Sequence, residues 1–246
     1  MHVGKRQAVV EHLVLARLRE GISVDQWDDL WKKLDLIRGL AGVVSLHVGL
    51  ARPLVGETYN FALHARFTDS AALKVYEADE LYAEAILKSS VSNDLRIFNW
   101  ECQPQGSMIG SNFYAAAHVG FMKFKSDTSE QKIEEAMSTI RDLQRLFPQL
   151  VSEVSVGRAF AIVPADLGES KGLEVAFVVS CPTIQACEEL ALKSADTNLS
   201  KQTGLSFESC LDSIHVVKFN VDWHREASMV IVIAEHLLGH VAKLNP

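Results

Sequence analysis

Apolar and polar positions alternate along several short runs of the chain, and stretches with a helical repeat separate these runs. Residues 9–19 alternate with a period of two, which predicts a half-buried strand. Ser23 and Gln26 form a capping box, which predicts the start of a helix, and Gly39 and Gly42 mark its end. The pattern therefore predicts a strand followed by a helix.

The same signals continue through the first hundred residues. Residues 43–50, 59–67 and 95–102 have the composition of strands. Thr68 or Asp69 is positioned to cap a second helix that runs to about Lys88. The predicted order of elements is β-α-β-β-α-β, which is the ferredoxin-like arrangement.

This pattern occurs twice. "EHLVLARLREGIS", which starts at Glu11, corresponds to "AHVGFMKFKSDTS", and "LAGVVSLHVG" corresponds to "FPQLVSEVSVG". Phe98-Asn99 near the end of the first copy matches Phe219-Asn220 near the end of the second. Small insertions in surface loops are tolerated cheaply, so the slightly longer second copy is consistent with duplication.

The second copy is predicted in the same detail. Thr128 with Gln131 opens one helix, and Pro182 opens the other. Strands are predicted at 151–163, 173–180 and 213–223. The predicted divisions of the chain are a first domain at 8–102, a linker at 103–112, a second domain at 113–223 and a tail at 224–246.

The predicted fold class is α+β, with two tandem ferredoxin-like repeats. One such sheet has helices on one face and leaves its other face bare. Two copies can bring their bare faces together and close an eight-stranded barrel, whose interior holds side chains or one small ligand. The duplication therefore predicts an α/β barrel that closes within one chain.

Composition and charge exclude several classes of function. The 246 residues are 48% hydrophobic and 22% charged, as in ordinary globular proteins, and the net charge is −7. Without a basic cluster, nucleic acid is not an expected partner. The apolar tail at 227–244 is interrupted by Glu235 and two histidines, so no membrane span is expected. The four cysteines form no CxxC pair, so we expect reduced thiols in an intracellular protein rather than a zinc site.

The strand "VEHLVLARLREGIS", with "LAGVVSLHVG" and "YNFALHARFTDSAALKVYEADELY", resembles the stress-responsive dimeric α/β-barrel family. Members of that family begin with a strand of the form x-H-(V/I)-(V/L)-(L/F)-(K/R)-(F/L)-K. The resemblance covers residues 8–102 and, more faintly, 113–223, and the two-copy layout is similar to tandem plant members. It implies that His12 and the equivalent His118 lie on or near the barrel interior. There they would either orient a polar ligand group or pack as core histidines bonded to backbone carbonyls.

The resemblance also implies where an active site would lie. In many single-copy members the second helix ends Y-x-x-H-P-x-H. In the polyketide cyclase of the family, the tyrosine and the last histidine perform an intramolecular aldol condensation. Here the tyrosine falls on Tyr76, but both histidine positions are changed, to Asp79 and Tyr82. A phenol with a pKa near 10 is a poor base without electrostatic help, and Asp79 is the predicted partner of Tyr82.

Other chemistry is less strongly indicated. His47 and His64 lie on adjacent predicted strands, and His236 and His240 lie one helical turn apart, but neither pair completes a metal site. No GxGxxG sequence offers a dinucleotide cradle, and no local signature selects an axial haem ligand. We therefore expect no cofactor and no metal, with haem or metal binding as the remote alternative.

The sequence thus favours a non-catalytic, stress-responsive barrel that binds a small apolar ligand or serves as an assembly module. His12, Tyr76, Tyr82 and His118 are the predicted ligand-binding residues. The alternative is a cyclase or lyase, for which Tyr76, Tyr82, His12 and Asp79 are the candidates. A second copy of the chain is a possible partner. The cytosol is the expected location, with peroxisome or plastid as alternatives.

Overall fold

The structure is a computed structural model that describes residues 8–55, 59–88, 92–106, 114–163, 174–195 and 210–221. The strands are β1 (Val9–Leu18), β2 (Val43–Val55), β3 (Phe61–Phe67), β4 (Ser92–Cys102), β5 (Gln105–Gly106), β6 (Ala116–Phe124), β7 (Glu153–Val163), β8 (Glu174–Cys181) and β9 (Leu211–Asn220). The helices are α1 (Val24–Arg38), α2 (Ser70–Glu77), α3 (Glu80–Tyr82), α4 (Glu130–Leu146) and α5 (Ile184–Ala195), and a π-helical turn covers Ala83–Leu87.

The strands close into a barrel within one chain. The first half has the order β4-β1-β3-β2, the second has β9-β6-β8-β7, and antiparallel pairing of β2 with β9 and of β4 with β7 joins them. The short strand β5 pairs with the start of β7, on the same edge that pairs with β4 further along. The predicted α+β intrachain barrel is confirmed. Since closure needs no second copy, any oligomer would have to use a surface outside these two seams.

Closure gives the described part of the chain three apolar regions. Side chains such as Leu13, Phe98 and Phe219 fill the interior of the barrel. The other two regions lie between the outer face of the sheet and the helices, one for each half, around Leu34 and Ile133. Successive residues of a strand point to opposite faces, so a residue's register decides which region it enters.

Most of the helix starts and ends predicted for the first half are confirmed. Ser23 and Gln26 form both bonds of the predicted capping box, and Gly42 adopts the positive φ that favours glycine. Asp69, rather than Thr68, caps α2, whose Ala72 N–H donates to its carboxylate.

Three details of the helix prediction are wrong. The second helix does not run on to Lys88, because it breaks after Glu77. Ser129, one residue after Thr128, caps α4. Pro182 does not open α5, which begins at Ile184. Thr183 caps this helix, since its hydroxyl accepts a hydrogen bond from Ala186 N–H.

The register corrects the sequence alignment of the two halves. His12 on β1 faces Asn99 on β4, and the equivalent His118 on β6 faces Lys218 on β9. Asn99 therefore corresponds to Lys218. The match of Phe98-Asn99 with Phe219-Asn220 is wrong by two residues, because the repeated letters fall at different heights of the barrel.

A glycine lies at each seam. A Cβ atom on Gly49 of β2 would lie 1.8 Å from the backbone oxygen of Asn220 on β9. A Cβ atom on Gly157 of β7 would lie 2.8 Å from the backbone oxygen of Glu101 and 2.7 Å from the Trp100 ring on β4. Both distances are too short for any side chain, so glycine lets the halves approach each other.

We expect Gly49→Ala to lower the free energy of unfolding by about 3 kcal/mol or more, since overpacking against backbone that cannot yield costs at least the usual 1–3 kcal/mol. Urea denaturation followed by circular dichroism measures the change. Gly21→Ala is the control, because Gly21 has φ of 73° but no atom within 4 Å of the added carbon. The control should lose only about 1 kcal/mol from backbone strain. Equal losses in the two variants would contradict the close approach at this seam.

Candidate functional site

Five side chains of the first half form a polar and aromatic group between the sheet and the helices, which we call the His12 cluster. They are His12 on β1, Asn99 on β4, Tyr76 and Glu77 on α2, and Tyr82 on α3. All except Glu77 are almost completely buried. The structure thus brings together three residues that the sequence analysis selected separately.

The expected location of His12 on the barrel interior is wrong. Its neighbours Glu11 and Leu13 point into the barrel, so the strand period of two turns His12 to the helix side. There its ring meets Tyr76 and Tyr82 edge-on, with centroids 5.7 and 5.5 Å away. The cluster is therefore separate from the barrel interior.

A directed chain of hydrogen bonds crosses the cluster. The Asn99 amide donates from Nδ2 to a carboxylate oxygen of Glu77 at 2.8 Å, so its Oδ1 faces His12 as an acceptor. His12 Nδ1 lies 2.6 Å from that oxygen and must carry the proton. Nε2 is then the acceptor, and the Tyr82 hydroxyl donates to it at 3.2 Å. Asn99 and Glu77 thus fix the tautomer of the imidazole.

Burial keeps the histidine and the two tyrosines of the cluster uncharged. It lowers the pKa of His12 to about 4, although the bond to Asn99 acts in the opposite direction. It raises the pKa of both Tyr76 and Tyr82 well above the usual value for a phenol, and the Glu77 carboxylate adds to both shifts. At neutral pH the three side chains therefore act as neutral donors and acceptors of hydrogen bonds.

The Tyr76 hydroxyl is the exception to this pairing. It is buried, and no group among the described residues forms a hydrogen bond with it. The ring packs against Tyr82 at 4.7 Å and Phe67 at 4.8 Å between centroids. Buried polar groups are nearly always paired, so an unpaired hydroxyl requires an explanation.

The expected partnership of Asp79 with Tyr82 is wrong. It assumed one continuous helix, but the chain leaves helical geometry at Asp79, which has ψ of 136°. Its carboxylate instead caps α3 by accepting from Leu81 N–H at 2.9 Å. The break turns Tyr82 towards His12, and the π-helical turn that follows is a feature often found at functional sites.

The second half holds no equivalent of the tyrosine pair. His118 also points to its helix layer, against Cys187, so its expected interior location is wrong for the same reason as that of His12. Tyr76 follows the cap of α2 by seven residues, and the residue at that place in α5 is Leu190. His12 and His118 therefore belong to two different environments.

His47 and His64 approach each other on adjacent strands, as expected, with stacked rings 6.3 Å apart, and the register turns both into the barrel interior. His64 Nε2 bonds Glu11 at 2.9 Å, and Arg66 connects Glu11 to Glu153 of the second half at 2.7 and 2.5 Å. Burial would raise the pKa of Glu11, but Arg66 and His64 hold it well below its usual range. The sequence analysis missed this network. The signal that could have found it is a charged residue, Glu11 or Arg66, at an inward-facing position of each of two alternating strands.

Outside the helix layers that surround His12 and His118, no described feature forms a comparable site. Among the described residues, no group of three or more His, Cys, Asp or Glu side chains is arranged to hold a metal ion. None of the described helices is long and apolar enough to cross a membrane. A cleft of about 590 Å³ lies beneath α4, but its Arg141 and Arg158 are already ion-paired with carboxylates of that helix.

The fold and the cluster define a closed α/β barrel with a polar group under the helices of one half. Residues 10–102 match the family described as the stress responsive A/B barrel domain. A search of the curated proteins gives no match.

Solved structures with a similar fold align with both halves of the chain. An anthrone oxidase-like protein is 10% identical and aligns over 88% of this chain and 92% of its own, with a TM-score of 0.60. A candidate monooxygenase from Lactobacillus acidophilus is 11% identical, with 87% and 94% covered and a TM-score of 0.53. One from Fusobacterium nucleatum is also 11% identical, with 88% and 93% covered and a TM-score of 0.54. At these identities the likeness concerns the fold alone.

We expect acid to destabilise the protein through His12. Its pKa is about 4 when folded and about 6.5 when unfolded, so between these values the unfolded state binds the extra proton. Stability therefore falls as the pH drops below 6.5. From pH 7 to pH 5 one such histidine costs about 2 kcal/mol, and His12→Gln should reduce the loss by that amount.

Urea unfolding at the two pH values measures this difference. His47, whose pKa burial also lowers, to about 3, keeps its own contribution in both proteins. Ile37→Val is the control, because it weakens the core without removing a titrating group. An unchanged loss in His12→Gln, or a reduced loss in Ile37→Val, would show that His12 does not carry the effect.

Proposed function

We propose that the His12 cluster binds a small, largely apolar molecule through one oxygen atom that accepts a hydrogen bond from Tyr76. The unpaired, buried hydroxyl of Tyr76 is the observation that carries this proposal. The other polar groups of the cluster already satisfy one another, so this donor is the one that remains for a ligand.

The chemistry of the surroundings favours a neutral ligand. Phe67, Tyr76 and Tyr82 present aromatic surfaces, and burial keeps His12 neutral at pH 7. An anionic ligand would lose its hydration without gaining an opposite charge, which is costly, and the one carboxylate of the cluster, Glu77, is already bonded to Asn99. A ketone, ester or phenol meets both the apolar walls and the single donor.

Access would involve the segment that covers Tyr82. Helix α3 has three residues and leads into the π-helical turn, so few backbone hydrogen bonds hold it. Such segments open locally at lower free energy than the sheet beneath them. Ligand binding therefore requires only a local opening and leaves the barrel closed.

We expect the protein to bind acetophenone about 2- to 10-fold more tightly than ethylbenzene, which has a similar shape but no carbonyl oxygen. Tyr76→Phe should abolish this preference, because it removes the donor and leaves the ring. Saturation-transfer NMR titrations measure both affinities. Tyr59→Phe, a buried substitution in the barrel interior, is the matched control and should keep the preference. Absence of acetophenone binding, or a preference for acetophenone that persists in Tyr76→Phe, would contradict the proposal.

Aldol cyclisation is the second candidate, and the chain from Tyr82 through His12 to Asn99 favours it. A neutral imidazole with a fixed tautomer can accept a proton through the Tyr82 hydroxyl. The raised pKa of Tyr82 opposes this role, which is why binding is the first proposal.

Heptane-2,4,6-trione tests the second candidate, since its intramolecular aldol condensation with loss of water gives orcinol. If the cluster is catalytic, orcinol should form faster than without protein, and Tyr82→Phe should slow it by about 100-fold or more. Chromatography follows the product, and Tyr59→Phe should remain active. A rate equal to that without protein, or an undiminished rate in Tyr82→Phe, excludes this candidate.

A further inference from the structure

The second half surrounds its histidine with different chemistry. His118 faces α5, and its neighbours there are Cys181 at the end of β8, Cys187 in the first turns of α5 and Lys218 on β9. Both cysteines have no exposed surface. Cys181 takes the place that Phe67 has beside His12, because the two residues lie at equivalent positions of β8 and β3.

The two thiols contact each other and the histidine. Cys181 and Cys187 pack in the same buried core of the second half, and the strand register sets Cys181 diagonally beside His118 on the same face of the sheet. The two thiols interact with each other, and Cys187 also interacts with His118. The Nε2 atom of His118 is buried and has no hydrogen-bond partner among the described residues. Lys218 Nζ lies 2.9 Å from Glu188 Oε1, one residue beyond Cys187. The group therefore combines two sulfur atoms, a buried imidazole and a cation.

Their electrostatics make the two thiols unequal. The interaction with Cys181 lowers the pKa of Cys187; burial acts against this shift, and His118 and Lys218 lower the pKa further. The same interaction, together with burial, raises the pKa of Cys181. Cys102 differs, since burial and Glu11 raise its pKa.

We propose that Cys187 and Cys181 form a site that hydroperoxides oxidise reversibly, with Cys187 as the attacking thiolate and Cys181 as the resolving thiol. The site lies outside the His12 cluster and is independent of its function. A disulfide here would connect the end of β8 to the start of α5, which are already in contact. Within the described residues, no third sulfur or carboxylate joins them to form a metal site.

The reaction has two steps. The Cys187 thiolate attacks one peroxide oxygen, the O–O bond breaks, and the alkoxide or hydroxide that leaves takes a proton and departs as alcohol or water. The Cys187 sulfenic acid then reacts with the Cys181 thiol, the S–O bond breaks and water leaves as the disulfide forms. Two thiols and one hydroperoxide thus give one disulfide, one alcohol or water, and one water.

Access to the sulfur atoms needs only a small opening. The chain passes over the two cysteines at residues 182–185, which are exposed. Ala186, the last residue before Cys187, is buried. The thiols therefore lie one layer below the surface, under the first turn of α5. Unwinding of that turn exposes them without opening the sheet.

Comparison of the folded and the unfolded protein gives the sharpest test, because it needs no variant. A thiol that is merely buried reacts more slowly in the folded protein than in urea, whereas an activated thiol reacts faster. With hydrogen peroxide at pH 7, we expect Cys187 to react at least about tenfold faster when folded, since its thiolate fraction rises from a few per cent. Timed alkylation and peptide mass spectrometry measure loss of each of the four thiols.

Variants assign the roles. Wild-type protein should lose two thiols and yield the Cys181–Cys187 disulfide, which dithiothreitol reverses. Cys187→Ser should leave Cys181 unreacted, and Cys181→Ser should accumulate a sulfenic acid on Cys187 that dimedone traps. Cys102→Ser and Cys210→Ser are matched controls and should behave like wild type. Slower oxidation in the folded state, or oxidation first at Cys102 or Cys210, would overturn the proposal.

Discussion

The structure depends on closure of two half-sheets along two seams. Each half alone would expose the inner face of four strands to water, and the apolar side chains of the barrel interior would have no partner. Closure brings backbone against backbone, at Gly49 beside Asn220 and at Gly157 beside Glu101. The sequence repeats "VG" at these two places because the same steric requirement occurs twice in a pseudo-symmetric barrel.

Closure also determines where charge can be buried. Arg66 of the first half lies between Glu11 of the same half and Glu153 of the second, so its ion pairs cross the barrel. Buried ion pairs rarely add much net stability, since desolvation offsets the attraction. Their effect here is on geometry. Apolar side chains can shift slightly at little cost in free energy, whereas separating a buried carboxylate from its guanidinium leaves an uncompensated charge. We infer that this network selects the register in which the halves meet.

The sequence was sufficient for the elements and the topology, because alternation, capping and duplication are local or repeated signals. It was insufficient for the site. The face to which His12 points depends on which side of the strand closes the barrel, and a period of two leaves that choice open. The prediction of a Tyr82–Asp79 pair was wrong because one break in a helix changes the direction of every later side chain. Tyr76 and Tyr82 nevertheless both lie beside His12, since the position of the helix relative to β1 survives small changes of geometry.

The two halves show how one scaffold holds two kinds of chemistry. A histidine at the same place of the first strand meets Asn99 in one half and Lys218 in the other. The amide fixes a tautomer and keeps a neutral, aromatic environment, whereas the ammonium group favours a nearby anion and hence a thiolate. Duplication makes this divergence possible, because each helix layer is closed off from the other by the filled barrel. A substitution in one layer therefore leaves the electrostatics of the other almost unchanged, and the two sites can be altered separately.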